Sequence, residues 1–84
     1  MPNEIEEIKK GDIVIVPEQD KITIGKLRSY NHPYVTIEGV AETFPENIAY
    51  KADQERLMLV GVPEGLSEGI MSGKAKLPII GEGD

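Results

Sequence analysis

Lys9-Lys10-Gly11-Asp12-Ile13-Val14-Ile15-Val16-Pro17 is the stretch whose reading decides the fold class. Two lysines and a Gly-Asp turn open onto four β-branched residues, and a proline follows them. Branched side chains suit a pleated surface, and Gly-Asp supplies the turn that feeds it. The run predicts a strand over 13 to 16. Its unbroken apolar character predicts burial on both faces rather than a one-sided surface strand. A chain that starts in this way is expected to be mainly β, as a small barrel or rolled antiparallel sheet.

Working outward, Pro17 to Lys21 reads as a polar hairpin loop, and Ile22, Ile24 and Leu27 carry a second strand. The apolar spacing changes from two to three after Ile24, with Gly25 at the slip, which predicts a β-bulge there. Ser29 to Pro33 is the next turn. Tyr34 to Val40 alternates, with Val35 and Ile37 toward a core and Tyr34, Thr36 and Glu38 away from it. Pro45, Ile48, Ala49 and Ala52 fit a helix of about two turns over 45 to 53, or a looser 3₁₀-containing excursion. Leu57 to Val60 reads as a last strand. Beyond it come a short helical turn at 67 to 71 and an extended piece at 77 to 80. The expected organisation is a weakly ordered segment 1–8, a small β domain 9–62, and a C-terminal appendage 63–84. The appendage is expected to be partly docked through Leu66, Ile70, Leu77 and Ile79 and otherwise mobile.

Closely spaced strands, a bulged second strand, a short helical excursion and a final strand within residues 9 to 62 resemble the layout of the SH3-like small barrels. Residues 10 to 14, Lys-Gly-Asp-Ile-Val, match an opening that recurs at the first strand of that superfamily. The resemblance implies a barrel that binds proteins or nucleic acids. It carries no residue-level function across, because tryptophan is absent and neither an acidic-aromatic peptide-binding signature nor an aromatic cage is present.

Composition narrows the classes. At 84 residues the chain has room for one domain, which buries roughly 60–65% of its unfolded surface and holds a net stability of ~3–7 kcal/mol. It has no cysteine, hence no disulfide or thiolate metal site, which suits a reducing compartment. No apolar run approaches the roughly 18 residues of a membrane helix, and Met1-Pro2-Asn3-Glu4 is acidic where a signal peptide is basic. A cytoplasmic location without membrane contact is expected. A net charge of −6 repels a polyphosphate backbone and disfavours nucleic acid as a partner.

Motifs for catalysis are weak. Gly65-Leu66-Ser67-Glu68-Gly69 fits G-x-S-x-G by letter, but that elbow belongs to a much larger α/β sheet, and the sole histidine, His32, precedes the serine. Gly69-Ile70-Met71-Ser72-Gly73-Lys74 is one residue short of a phosphate loop, and Ala75 stands where a Mg²⁺-binding hydroxyl is needed. The carboxylates are dispersed, without a calcium-loop pattern. No cofactor, metal or catalytic residue is assigned, and a coherent nucleophile, base and oxyanion group is missing, so a binding module is expected rather than an enzyme.

The candidate binding residues are Lys26, Arg28, Tyr30, His32 and Tyr34, where cations and aromatics alternate around one turn. Residues two apart on a strand share a face, so Lys26 and Arg28 are expected to project together while the tyrosines flank the turn. Arginine forks onto carboxylate or phosphate, and tyrosine gives rigid area with a polar tip. The expected function is protein–protein contact, of the kind an accessory or inhibitory subunit makes, or self-association. Leu77-Pro78-Ile79-Ile80 is extended and apolar enough to add to a sheet edge, on a partner or a second copy. The alternatives are nucleic-acid binding, with Lys51 and Arg56 joining the hairpin cations on phosphates, and a structural subunit of an oligomeric assembly.

Overall fold

In a computed structural model, which describes residues 8 to 82, the chain is mainly β with two helices. The expectation for residues 1 to 8 lies, apart from the buried Ile8, outside the described residues. Strands β1 (Ile13–Pro17) and β2 (Lys21–Asn31) form a hairpin, followed by β3 (Tyr34–Ile37) and β4 (Thr43–Pro45). A 3₁₀ turn at Glu46–Ile48 leads to β5 (Tyr50–Lys51). Helices α1 (Gln54–Leu59) and α2 (Glu64–Ser72) precede β6 (Ile79–Glu82). All the pairings are antiparallel, in the order β4-β3-β2-β1-β5, with β6 also on β2. No pairing among the described residues joins β4 to β5, so the sheet is not closed into a barrel.

The opening run behaves as its composition demands. Val14, Ile15 and Val16 are fully buried, yet they belong to two different clusters. Val14 and Val16 join Ile8, Leu27, Val35, Ile37 and Phe44 in an interior layer. Ile15 faces the other way, into a layer with Ile24, Ala52, Leu57 and Ile70 that the helices cover. Alternation on a strand with two covered faces produces this split. The alternation in β3 also holds, with Val35 and Ile37 buried and Tyr34 and Glu38 exposed.

Strand β2 has two partners in succession. Residues 27 to 31 pair with β3, and 21 to 24 pair with β6. Gly25 lies between these two stretches and is regularly paired with Val14 of β1. A Cβ on Gly25 would stand 2.5 Å from Ile37 Cγ2 and 3.3 Å from Pro78 Cβ, so the residue permits close packing where one partner strand gives way to the next. The bulge expected at Gly25 falls instead between Leu27 and Ser29, where the register to β3 shifts.

Two further expectations are corrected. The segment 45 to 53 is not a two-turn helix but the looser excursion given as its alternative: the end of β4, one 3₁₀ turn and β5. Its apolar residues serve different layers: Ile48 and Ala49 pack on the interior cluster, whereas Ala52 enters the helix-covered one. One helix cannot face both. Leu57 to Val60 is not a strand but the end of α1 and its exit. Asp53 caps the helix, its Oδ1 accepting from Arg56 N at 2.7 Å, and only Leu57 of α1 is buried. A strand with four consecutive apolar residues needs two covered faces, and Met58 and Leu59 have none.

Both helices stop in the same way. Val62 N donates to Leu57 O and Gly61 N to Met58 O, and Lys74 N donates to Gly69 O and Gly73 N to Ile70 O. Gly61 and Gly73 take φ of 98° and 85°, the left-handed conformation that this ending requires. Helix α2 contains the helical turn expected at 67 to 71. The extended piece expected at 77 to 80 becomes β6, which adds to the edge of its own β2.

Candidate functional site

The hairpin of β2 and β3 carries the five residues singled out by composition. Lys26 lies opposite Ile13 of β1, before the bulge, and Arg28 occupies the bulge itself. Both are exposed. The two-residue phase is broken at Arg28, so Lys26 and the residues beyond it do not form one continuous stripe. Directly opposed residues of an antiparallel pair share a face. Tyr30 is opposed to Val35, on the side of the interior layer, and is 44% exposed at its end. Tyr34 is opposed to Asn31 and Pro45, on the other side, and is 53% exposed. The tyrosines therefore stand on opposite faces of the hairpin. On the face of Tyr34, the hydroxyls of Ser29 and Thr36 are hydrogen-bonded across the strands.

The tip of this hairpin is held down. His32 Nδ1 is 2.8 Å from Glu46 Oε1, and Glu46 N donates to Pro33 O at 2.9 Å. The 3₁₀ turn thus grips the hairpin end through one side chain and one amide. A second polar tie joins the start of β2 to the residue before β4: Lys21 Nζ donates to Glu42 Oε1 at 2.6 Å and lies 3.7 Å from Glu18 Oε1. The hydrogen bond to Glu42 is the main reason that the Lys21 pKa is raised above its ordinary value.

Arg56 is committed within the fold. Its Nη1 donates to Lys51 O at 2.8 Å, its Nε lies 3.6 Å from Asp53 Oδ2, and its guanidinium stacks 5.9 Å from the Tyr50 ring centre. The Tyr50 pKa is raised, first by burial and further by the Asp53 charge, with Arg56 opposing.

The catalytic-looking motifs dissolve into helix α2. Ser67 lies in mid-helix, fully buried, and donates to Val62 O at 3.3 Å, so it does not occupy the exposed strand-to-helix turn of a nucleophile elbow. Gly69 to Lys74 forms the helix end described above rather than a phosphate cradle. Among the described residues no three His, Cys, Asp or Glu side chains are placed to hold a metal ion. None of the described helices is long and apolar enough to cross a membrane.

A different surface emerges where the helical layer meets β6. A cleft of about 220 Å³ is lined by Ile22, Ile24, Val62, Pro63, Leu66 and Ile79, among others, with Glu82 as its one charged lining residue. Just before it in the chain, Met58 and Leu59 are exposed, Leu59 to 79%. Read as a last strand, Leu57 to Val60 gives no sign of this surface. Its signal was present: Leu57-Met58-Leu59-Val60-Gly61-Val62-Pro63 holds more apolar residues than one helix face can bury.

No protein-family model, curated protein or solved structure matches the chain.

Proposed function

We propose that this chain is a non-enzymatic protein-binding module of SH3-like layout that docks a partner on the apolar surface between its helices and β6. The observation carrying the proposal is the set of unsheltered apolar side chains on the helical side: Met58, Leu59 and Leu66 are all exposed, and Leu66 lines a cleft with apolar walls. Apolar side chains gathered around a concavity mark an interaction surface. The 3₁₀ turn followed by a short strand returning to β1 supports the SH3-like layout. The lack of cysteine and the acidic charge suit an intracellular accessory role.

Selection of peptides from a random displayed library on the immobilised chain tests the reading. Enriched peptides are expected to lose binding at least about tenfold to Leu66→Asp or Leu59→Asp chains, because each buries a charge against an apolar ligand. Enrichment no greater than on an unrelated acidic protein, or binding indifferent to both substitutions, overturns it.

A second reading has its own observation: Lys26, Arg28 and Tyr34 are exposed on the β2–β3 hairpin, a combination that suits single-stranded nucleic acid. Fluorescence anisotropy with a labelled oligonucleotide decides it. Affinity that falls with salt and with Arg28→Ala favours this reading, and no binding at low salt removes it.

A further inference from the structure

We infer that the open edge of β6 takes up an extended, lysine- or arginine-flanked segment of a partner protein as an added strand, an inference that rests on the protein-binding reading above. Three observations converge on it. First, β2 is the one strand paired with β6 among the described residues. In an antiparallel ladder, alternate residues turn their N–H and C=O away from the partner strand, so β6 presents a row of backbone groups on its far side. Ile80, Gly81 and Glu82 are exposed, and Gly81 has no atom within 4 Å of where a Cβ would stand. Nothing on that residue obstructs an incoming chain.

Second, the cleft lies on the face that an added strand would extend. Ile24 is opposed to Ile79 and Ile22 to Gly81, and all four line the cleft together with Leu66 and Pro63. Side chains of an added strand alternate in direction, so every second one would lie on this face, continuing an apolar floor. On the opposite face the neighbour is Ile80, which is 56% exposed. An apolar–polar–apolar core therefore fits better than a uniformly polar one.

Third, the rim is acidic. Glu82 borders the cleft at the end of β6, opposed to a Lys21 that is already bonded to Glu42; Glu64 follows Pro63 at the start of α2, and Glu68 is exposed one turn later. Glu55 lies with Met58 and Leu59 on the exposed part of α1. Arg56 is the only cation in residues 54 to 72, and it is engaged with Lys51, Asp53 and Tyr50. Charge complementarity selects a basic-flanked partner. It also disfavours a second copy, since two chains of net charge −6 would bring the same carboxylates together.

The test uses the full chain, labelled with ¹⁵N, and a pool of synthetic peptides with five-residue alternating apolar–polar cores and two lysines at each end. Binding peptides are expected to shift the amide signals of Ile79 to Glu82 and of Leu66. Affinity is expected to fall about tenfold or more with glutamate flanks, and similarly when alternate core amides are N-methylated on the pairing edge. In a Glu64→Lys/Glu82→Lys chain, whose substituted positions are exposed, the preference for lysine flanks is expected to reverse. Binding at Leu66 that ignores N-methylation and flank charge overturns strand addition by a basic segment while leaving the protein-binding reading in place. Library-selected binders with no response from the pool have the same effect. Concentration-dependent dimerisation through β6 in sedimentation makes a second copy the occupant and overturns the inference.

Discussion

The two faces of β1 look onto layers built on different plans. The interior layer, with Val14, Val16, Leu27, Val35, Ile37 and Phe44, is drawn almost wholly from strands that wrap one another, and among the described residues three partly buried apolar ones fringe it. The helix-covered layer, with Ile15, Ile24, Ala52, Leu57 and Ile70, is fringed by eight, among them Ile22, Val60, Val62 and Ile79. The first layer is sealed by a coiled sheet. The second is roofed by two short helices that leave a margin, and the cleft lies in that margin. The tighter layer thus lies on one side of a single strand and the open cleft on the other.

Emptying each layer in turn is the strongest way to break this contrast. Phe44→Ala is expected to cost about 3–5 kcal/mol and Leu57→Ala about 2–5 kcal/mol, read from urea denaturation. The first loss rivals the whole stability of a domain this small. The second is expected to loosen 54–72 and 79–82 in hydrogen exchange before the β1–β3 core. If both variants open in one indistinguishable transition, the layers form a single cooperative unit and the contrast fails.

Gly25 sits between the β3 and β6 stretches of β2 and probes how the layers are joined. Gly25→Ala pushes a methyl group into the fully buried Ile37 side chain beside Pro78, and a cost of about 1–3 kcal/mol is expected. A neutral effect on the urea midpoint would mean that the two packed strands separate freely there. Thr23 offers a smaller change of opposite sign. It is 1% exposed, opposed to Val16 on the interior face, and its hydroxyl finds no hydrogen-bond partner among the described residues. Thr23→Val is expected to gain about 1 kcal/mol, because valine keeps the shape and removes an unpaired polar atom. A loss of stability would show that the hydroxyl is satisfied.

The weakest effect is alkaline. Lys21 and Tyr50 both hold their protons more tightly in the folded chain than in the unfolded one. Their contribution is complete below the unfolded values of about 10 and is lost as pH rises through the higher folded values. A modest fall in thermal midpoint is expected above about pH 10, and Lys21→Met is expected to reduce it. A midpoint that rises over that range contradicts both assignments.

Legibility followed the kind of signal each segment carries. The hairpin of Tyr34 with its neighbours was readable because alternation is a property of the strand itself, and Val35 and Ile37 had only to find any core. The cleft was not readable, because Met58, Leu59 and Leu66 look like ordinary core residues until the layer that fails to cover them is seen. The grip of Glu46 on His32 and Pro33 likewise joins positions far apart in the chain, with no local pattern to announce it.

From its own residues the chain determined a mainly β protein with a first strand buried on both sides, since four consecutive β-branched apolar residues have no stable one-sided solution. The tertiary structure decided what those local patterns left open. It made Leu57 a helix residue, because only one covered face was on offer. It moved the bulge from Gly25 to the Leu27–Ser29 step, because Gly25 was needed where β2 passes from β3 to β6. It also laid Ile79 to Glu82 on the chain's own sheet, so the tail fills one edge of β2 and leaves its own far edge open.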